Sequence, residues 1–369
     1  MRLSGDRAFA LIVAILVVGG AAIFLSAALG LLAREGASIG RLALTQLALG
    51  LIPGLIALAV IRFLPQKLLM RAVIPFYVLA LILTSLVFIP GLGVHAGGAT
   101  RWIDVGPVTV QPAEFLKPAV IMMLALFLAR AKEKIKDLKS GLIPFGLIIG
   151  LPVILLALQP NNSTILVIGA TSMALYFIAG ARWRDIGLII LAGIAFVAIA
   201  LFFRPYALER VKTFINPEQD GLGSGYQIQQ SLIAIGSGGM LGRGFGQSAQ
   251  KYNYLPEPVG DSVFAVYGEE FGFLGTVLLV ILFTAFATRG FAIAAQSANA
   301  FGTYAATGLT LLLTISAFMN IGAMLGIVPL TGLPLPFVSH GGTALLAALA
   351  SVGVILNVAA NRSKRKTLE

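Results

Sequence analysis

Four carboxylates fall within one polar stretch of a chain that is otherwise strongly apolar. The stretch covers residues 226–275, and its acids are Glu257, Asp261, Glu269 and Glu270. A carboxylate held partly out of water can take a proton from a hydroxyl nucleophile. It can also hold a divalent cation through its oxygens. This stretch is therefore the first place to look for chemistry.

Asp261 directly precedes an apolar run that begins near Val263. An aspartate in that position often caps a helix by accepting hydrogen bonds from backbone N–H groups. The alternative is a functional carboxylate at the membrane surface, acting as a general base or as a ligand of Mg²⁺ or Mn²⁺. Residue type and position leave these interpretations open.

Glu269 and Glu270 lie further along the same predicted helix. If that helix is regular, Glu269 falls about 80° from Asp261 around its axis and Glu270 about 180°. Only Glu269 would then face the space in front of Asp261. Both acids could instead pair with a neighbouring helix.

A glycine-rich segment precedes these acids. Between residues 236 and 246, six of eleven residues are glycine, and we call this segment the glycine loop. Such a backbone folds tightly or approaches a ligand closely. Further on, Gly268, Gly272 and Gly275 have the small-residue spacing that favours close packing of helices.

Two opposite charges stand at the start of another apolar run. Glu114 and Lys117 follow Pro112, which suits the first turn of a helix, so the two side chains lie on one face. They either neutralise each other as an ion pair at the interface or line a polar cavity, because charges within a membrane usually face one.

The last polar segment, residues 326–343, combines three prolines with four glycines. It cannot form a continuous helix, and irregular backbone at membrane depth lines a cavity rather than lipid. Ser339 to Thr343 open the final apolar run, where N–H groups at a helix start suit a phosphate. A Ser-capped helix with flexible glycines explains the same residues equally well.

The composition is typical of a polytopic membrane protein. Hydrophobic residues make up 58% of the chain and charged residues 11%, against about 25% charged in a soluble domain. The absence of cysteine excludes disulfides, thiolate nucleophiles and Cys-ligated metals. The basic residues that give the net charge of +11 lie at the ends of the apolar runs, where they indicate how the chain is oriented in the membrane. We therefore expect no nucleic-acid partner.

Ten apolar runs approach the length of about 20 residues that crosses a bilayer. We predict an all-α polytopic fold of ten transmembrane helices, with residues 1–369 as a single integral membrane domain. Residues 204–262 form a long extracytoplasmic loop between helices 7 and 8. The first run is longer than a signal-peptide core, so we expect it to remain uncleaved. The predicted spans are 8–29, 42–61, 72–89, 113–131, 142–158, 164–181, 186–203, 263–288, 301–323 and 342–360.

The charges alternate between the two ends of these runs. One end carries 17 of the 26 basic residues, which assigns it and both termini to the cytoplasm. The other end carries ten of the fifteen acids, Asp261 among them. The polar chemistry is therefore predicted to face outward.

Taken together, these motifs resemble the SEDS family (shape, elongation, division and sporulation proteins), and most closely its elongation branch. The chain departs from the family at residues 159–164, QPNNST, where the family usually has an acidic turn. The matching residues are 101–103, 111–114 with Lys117, 227–246 (including IQQSLIAIGSGGMLGRGFG), 250–251, 254–257, Asp261, 264–266, 268–270 and 329–342.

The resemblance implies a peptidoglycan glycosyltransferase of the bacterial cytoplasmic membrane. Such enzymes polymerise lipid II into glycan strands on the outer face during cell elongation and release undecaprenyl pyrophosphate. The implied partners are a class B penicillin-binding protein and other membrane proteins of the elongation complex. The family's essential aspartate maps onto Asp261.

Within that implied reaction, Asp261 would activate the sugar hydroxyl as a general base. The pyrophosphate leaving group needs cations, helix-start N–H groups or a divalent metal ion, Mg²⁺ or Mn²⁺. The candidate substrate-binding residues are Arg101, Glu114, Lys117, Arg210, Ser339 and Thr343.

Two functions of other classes compete with this interpretation. A translocase that moves lipid-linked precursors across the membrane would place acids and cations deep in the spans or on both faces. A scaffold for a class B penicillin-binding protein would need no catalytic carboxylate. The concentration of acids on one face favours an enzyme.

Overall fold

The computed structural model describes residues 6–35, 45–96, 99–106, 108–203, 208, 212–216 and 223–362, and it is mostly helical. The helices are α1 Arg7–Glu35, α2 Ile52–Phe63, α3 Gln66–Leu86, α4 Pro112–Ala131, α5 Ile143–Leu158, α6 Asn162–Ile178, α7 Trp183–Phe203, α8 Ser224–Ser237, α9 Gln250–Asn253, α10 Val263–Ala295, α11 Ala300–Met324 and α12 Gly342–Ala360.

Eight helical segments in the described ranges are long and apolar enough to cross a membrane. The shorter apolar helix α6 and the helix α7 lie between the fifth and sixth of them. This establishes a multi-pass membrane protein, and the count of ten stays a prediction. The eight segments are Arg7–Gly30, Gln46–Phe63, Gln66–Leu86, Pro112–Lys136, Leu138–Leu158, Val263–Ala295, Ala300–Met324 and Gly342–Ala360.

Three helices form the centre of the bundle. Most side chains of α4, α11 and α12 are buried, whereas most of those of α2, α3 and α5 are partly or fully exposed. α11 packs against α4, α10, α6 and α12, and α12 packs against α2. The central helices therefore carry the protein core, and the outer ones separate it from the membrane.

The all-α prediction is wrong in one place, because a small antiparallel sheet precedes α4. Its strands are β1 Gly93–Ala96, β2 Ala99–Asp104 and β3 Thr109–Val110, hydrogen-bonded in that order. The segment is rich in β-branched and aromatic residues between glycines, which favours strands over helix. The sheet holds Arg101 near the start of α4.

The helix α10 is interrupted at Gly272, whose φ of 64° and ψ of −163° are not helical. The glycine loop fills this interruption. The N–H of Arg243 donates to the carbonyl of Glu269 at 3.0 Å, and the N–H of Gly244 donates to that of Glu270 at 2.9 Å.

The other side of the break is satisfied in the same way. The N–H of Phe273 donates to the carbonyl of Gly239 at 2.8 Å, and the N–H of Leu274 donates to that of Met240 at 3.2 Å. In an uninterrupted helix these N–H groups would bond to the carbonyls of residues 269 and 270. The loop thus replaces two helical hydrogen bonds with four of its own, as membrane-embedded backbone requires.

This arrangement explains Gly238 and Gly242, which lie directly against the backbone at the break in α10. A Cβ on Gly242 would lie 2.1 Å from the carbonyl oxygen of Glu270, and one on Gly238 would lie 2.1 Å from that of Gly268. Only glycine permits such an approach of two backbones. Close backbone packing, one of the two interpretations of the glycine loop, is therefore confirmed at Gly238 and Gly242, and Gly272 of the small-residue series on α10 contacts the same loop.

Candidate active site

Asp261 lies in a turn that leads into α10, with its side chain partly exposed. The N-cap position of α10 is Ser262, which makes no side-chain capping bond. The capping interpretation of Asp261 is therefore wrong, because the residue precedes the N-cap. Its Oδ1 instead accepts a hydrogen bond from Nε2 of Gln227 at 3.1 Å.

Gln227 comes from α8, the amphipathic helix that packs against α10. Its Nε2 donates both to Asp261 and to Oγ of Ser262, the latter at 2.9 Å. One side-chain amide thus fixes the carboxylate and the first residue of the helix together. The carboxylate is held in place and stays partly exposed.

The backbone of Asp261 is held from behind by Asn320 of α11. The buried Nδ2 of Asn320 donates to the carbonyl of Asp261 at 2.8 Å and to that of Leu333 at 2.7 Å. Leu333 belongs to the segment between α11 and α12, residues 325–341, which we call the last loop. Asn320 therefore joins the Asp261 turn, the core helix α11 and the last loop.

Ser339 strengthens the same connection. Its Oγ donates to the carbonyl of Gly260 at 2.6 Å and accepts from the N–H of Leu335 at 2.8 Å. The side chain is buried, and it does not cap α12, whose N-cap position is Gly341. The Ser-cap interpretation is therefore wrong, and the hydroxyl serves the packing of two loops.

The start of α12 is partly occupied by a residue of another segment. The N–H of Gly341 donates to Oε1 of Gln46 at 3.1 Å, and Thr343 lies buried in the first turn of the helix. Gln46 precedes α2, against which α12 packs. A phosphate bound at this helix start would have to share it with the amide of Gln46.

His340 lies beside this turn, outside the membrane-spanning helices. Its backbone N–H donates to the carbonyl of Val259 at 2.7 Å, and its imidazole ring stacks on Phe24 of α1 with centroids 5.4 Å apart. Its buried Nδ1 has no hydrogen-bond partner within the described ranges. Burial lowers the pKa of this imidazole, so the ring is held neutral.

Glu114 and Lys117 form the ion pair that their spacing predicts. Nζ of Lys117 lies 2.9 Å from Oε1 of Glu114, and both side chains are buried in the first turns of α4. The pair also lines a small cavity whose other walls are mostly apolar, so the ion pair is confirmed and the cavity is less polar than expected. The remaining lining residues come from α4, α11, the last loop and α12: Pro118, Leu312, Leu313, Ser316, Pro334, Pro336, Ala344, Ala347, Ala348 and Ser351.

Asp261 does not line that cavity, but the last loop contacts both places. Pro334 and Pro336 form part of the cavity wall. Two residues earlier, a methyl group added to Gly332 would lie 3.8 Å from Oδ2 of Asp261. The carboxylate and the cavity are therefore adjoining regions separated by a few residues of loop.

Arg101 holds the turn between α5 and α6. Its Nε donates to the carbonyl of Gln159 at 3.4 Å, and its guanidinium also donates to the carbonyl of Pro160. The side chain of Gln159 in turn donates to the carbonyl of Thr84 at 2.8 Å. Arg101 is therefore engaged with backbone carbonyls, and Arg210 lies outside the described residues.

The same turn contacts the last loop. Asn161 is the N-cap residue of α6 but makes no side-chain capping bond. Ser163 donates its hydroxyl to the carbonyl of Thr331. The N-cap side chain of α6 therefore makes no capping bond, and the hydroxyl of Ser163 joins this turn to the last loop.

Glu269 is buried and turned towards the residues that follow the glycine loop. Its carboxylate accepts from Oγ of Ser248 at 2.5 Å and from the N–H groups of Ala249 and Gln250, each at 3.1 Å. The guanidinium of Arg243 lies 3.2 Å from its Oε1. Glu269 thus caps the start of α9, and both of its carboxylate oxygens accept hydrogen bonds there.

Glu270 is buried on the other side of α10. Its Oε1 pairs with Nζ of Lys251 at 2.7 Å, and its two oxygens accept from Oγ of Ser26 at 2.6 and 2.7 Å. Lys251 also donates to Ser26 at 3.0 Å, and the three groups tie α1 and α9 to α10. The pairing interpretation of these two acids is thus correct, and neither faces the space in front of Asp261.

A divalent cation would find few protein ligands at Asp261. Among the described residues, no three His, Asp or Glu side chains converge. Ions of the Mg²⁺ type are nevertheless commonly held by one or two carboxylates together with waters and substrate phosphates. Asp261 fits that mode of binding as a single carboxylate, and a Mg²⁺ or Mn²⁺ ion bound there would neutralise a leaving pyrophosphate.

The residues that sequence reasoning missed are Gln227 as the partner of Asp261 and Asn320. Asn320 carries a signal, since it is a lone amide within an apolar span, where polar side chains usually bind a neighbouring helix or loop. Gln227 gives no such signal, because the polar segment around it contains several glutamines.

Comparison with known proteins finds relatives that are similar over most of this chain. Stage V sporulation protein E of Bacillus subtilis strain 168 is 42% identical over 284 residues, covering 76% of this chain and 77% of that protein. Peptidoglycan glycosyltransferase MrdB of Escherichia coli K12 is 37% identical over 314 residues, covering 84% and 83%.

A solved chain reproduces the whole fold. It comes from work on the structural coordination of polymerization and crosslinking by a peptidoglycan synthase complex. It superimposes with a TM-score of 0.80 at 28% identity, over 98% of this chain and 100% of that chain. Residues 6–364 match the family of cell cycle proteins typified by FtsW, RodA and SpoVE. The chain therefore belongs to the FtsW/RodA/SpoVE family, the SEDS proteins whose motifs it carries.

Proposed function

We propose that this protein is a membrane-embedded peptidoglycan glycosyltransferase that polymerises lipid II during cell elongation, with Asp261 as its general base. The single observation that carries the proposal is the carboxylate of Asp261, fixed just before the start of α10 by Gln227 and still partly exposed. Its support is membership of a family in which relatives are named peptidoglycan glycosyltransferases.

The reaction joins a sugar hydroxyl to the anomeric carbon of a lipid-linked donor. The hydroxyl oxygen forms the new C–O bond as its proton passes to Asp261, and the bond from the anomeric carbon to the pyrophosphate breaks. A positioned base of this kind typically contributes about 10²- to 10⁴-fold in rate. The lipid-linked pyrophosphate leaves with the bonding electrons, and a single displacement inverts the anomeric carbon.

The developing negative charge on the pyrophosphate requires positive groups nearby. The candidate cations are Lys117, which is paired with Glu114, and Arg101 and Arg210. The start of α12, with Thr343, is a further candidate, whereas the hydroxyl of Ser339 is already bonded to the carbonyl of Gly260. Lys117 is the best placed of the described cations, because it already faces a cavity that adjoins the last loop. A bound Mg²⁺ or Mn²⁺ ion would supply further charge at Asp261.

We further propose that the active site faces outward, with both termini in the cytoplasm, and that a class B penicillin-binding protein crosslinks the new strands. The basic residues at the opposite membrane edge support this orientation. The solved relative that comes from a synthase complex supports a crosslinking partner. Other elongation-complex membrane proteins would bind the exposed helices.

The decisive test is polymerisation of purified lipid II by the purified protein together with its penicillin-binding partner. The proposal predicts glycan strands longer than a disaccharide and release of undecaprenyl pyrophosphate. Absence of strands under conditions in which MrdB of Escherichia coli forms them would reject the activity.

A second candidate is translocation of the lipid-linked precursor. The buried ion pair of Glu114 and Lys117 beside a cavity in the core favours it, because transporters place charges at such sites. Vesicles that carry fluorescent lipid II separate the two functions. Movement of the label between leaflets without strand formation would establish the translocase, and strand formation from lipid II in the Asp261 leaflet alone would establish the polymerase.

A further inference from the structure

We propose that the glycine loop inserts its apolar tip into the acyl chains of the bilayer leaflet on the Asp261 side. This tip would therefore contact lipid hydrocarbon. The tip consists of Met240, Leu241 and Phe245, each more than half exposed, with Leu241 exposed by 78%. Three large apolar side chains left open together mark a binding surface or a membrane contact.

The tip is continuous with a surface that faces lipid. Leu274, Leu278 and Ile281 lie on one side of α10 at helical spacing, and each is more than half exposed. The hydrogen bond from the N–H of Leu274 to the carbonyl of Met240 joins the first residue of this stripe to the tip. The same hydrocarbon that covers the stripe therefore reaches the loop.

The depth of the break agrees with insertion. Arg289 marks the opposite membrane edge, where it pairs with Asp6 at the start of α1. Gly272 stands 17 residues before it, which corresponds to about 25 Å along the helix. The hydrocarbon core is about 30 Å thick. The break and the tip attached to it thus lie just inside the hydrocarbon boundary of the other leaflet.

The polar groups of the loop tolerate this position. Four backbone hydrogen bonds join the loop to the two sides of the break in α10, so much of its polar backbone is not presented to lipid. The one charged residue between positions 236 and 246 is Arg243. Its guanidinium pairs with Glu269 and stays half exposed, as expected of a side chain that reaches to the membrane surface.

Insertion would fix the height of Asp261 above the lipid. The loop is bonded to the carbonyls of Glu269 and Glu270, about two turns of α10 below Asp261. A tip anchored in the acyl chains therefore holds the carboxylate at a constant distance from the headgroups. The lipid contact itself does not depend on the catalytic role of Asp261.

The test uses tryptophan fluorescence of the full chain in lipid nanodiscs. The two native tryptophans, Trp102 and Trp183, are replaced by phenylalanine. Single tryptophans are then introduced as Leu241→Trp and, independently, as Phe245→Trp. Leu278→Trp provides the lipid-facing control, and Val105→Trp, in the exposed turn between β2 and β3, provides the water-facing control. The quenchers are phosphatidylcholine brominated on its acyl chains and acrylamide in the aqueous phase.

The proposal predicts that the brominated lipid quenches both tip tryptophans and that acrylamide does not. Bromines near the headgroup should act more strongly on residue 241 than on residue 278. Acrylamide quenching equal to that at residue 105, without bromine quenching, would overturn the proposal. Protection from both quenchers would also overturn it, because the tip would then be covered by protein.

Discussion

Nε2 of Gln227 lies 3.1 Å from Oδ1 of Asp261 and donates a hydrogen bond to it. The two residues stand 34 positions apart in the sequence, on α8 and at the start of α10. Asn320 fixes the backbone of the same aspartate from the opposite side. The carboxylate is thus oriented by one helix and positioned by another before any substrate arrives.

Replacing Gln227 with alanine should slow polymerisation without removing the base. A hydrogen bond to a charged group contributes about 1.5–3 kcal/mol, and its loss from the transition state would reduce kcat by about 10- to 100-fold. Gln230→Ala, three residues along the same helix, is the matched control. An unchanged kcat for Gln227→Ala, with the protein folded, would contradict a positioning role.

The conformation of Gly272 makes a second prediction. Its φ of 64° and ψ of −163° belong to a region that only glycine adopts readily, and an added Cβ would lie 2.3 Å from the N atom of Gly242. Gly272→Ala should therefore lower the thermal unfolding temperature and release the glycine loop from α10. Gly236→Ala, where an added methyl meets no atom within 4 Å, should leave the unfolding temperature unchanged. Equal unfolding temperatures for both variants would contradict the packing of the glycine loop into the break in α10.

The buried pair of Lys251 and Glu270 makes a third prediction. Removing one member leaves the other charge buried and unpaired, which costs about 3–5 kcal/mol. Lys251→Met should therefore destabilise the protein strongly in chemical unfolding. The double variant Lys251→Met/Glu270→Gln should recover much of the lost free energy. If the single variant were as stable as the parent, the two groups would not be an essential pair.

The lowered pKa of His340 gives a stability dependence on pH. Burial favours the neutral imidazole, so the unfolded chain binds the proton more readily than the folded one below the ordinary value of 6.5. The contribution of His340 is fully present above pH 6.5 and declines as the pH falls below it. The measurement is the unfolding temperature of the parent and of His340→Gln between about pH 7.5 and 5.5.

The parent should lose more stability on acidification than His340→Gln does, because the glutamine has no proton to take up. Carboxylates titrate in both proteins, so the difference between the two curves isolates the histidine. Parallel curves for the parent and His340→Gln would contradict the buried neutral state.

The parts of the fold that follow from local patterns could be predicted from the sequence. Apolar runs predict the spans, and the spacing of Glu114 and Lys117 predicts their ion pair. The partners of Asp261 could not be predicted, because Gln227 and Asn320 lie 34 and 59 positions away along the chain. Helical periodicity carries no information about contacts at that separation.

The glycine loop shows the same limit from another direction. Its composition predicts that its backbone either folds tightly against the rest of the chain or approaches a ligand closely, and composition alone does not choose between the two. The loop packs into the break at Gly272, yet the run from residue 263 to residue 288 is predicted from its sequence as one continuous helix. The interruption results from tertiary hydrogen bonds, which local hydropathy does not record.

The central claim is that the carboxylate of Asp261 takes the proton of the acceptor hydroxyl. The most direct measurement is the rate of lipid II polymerisation by purified Asp261→Asn, which preserves the size and shape of the side chain while removing its charge. The claim predicts a fall of about 10²- to 10⁴-fold in rate, with an unchanged unfolding temperature and unchanged binding of the penicillin-binding partner. A folded Asp261→Asn enzyme that polymerises lipid II at the parent rate would contradict it.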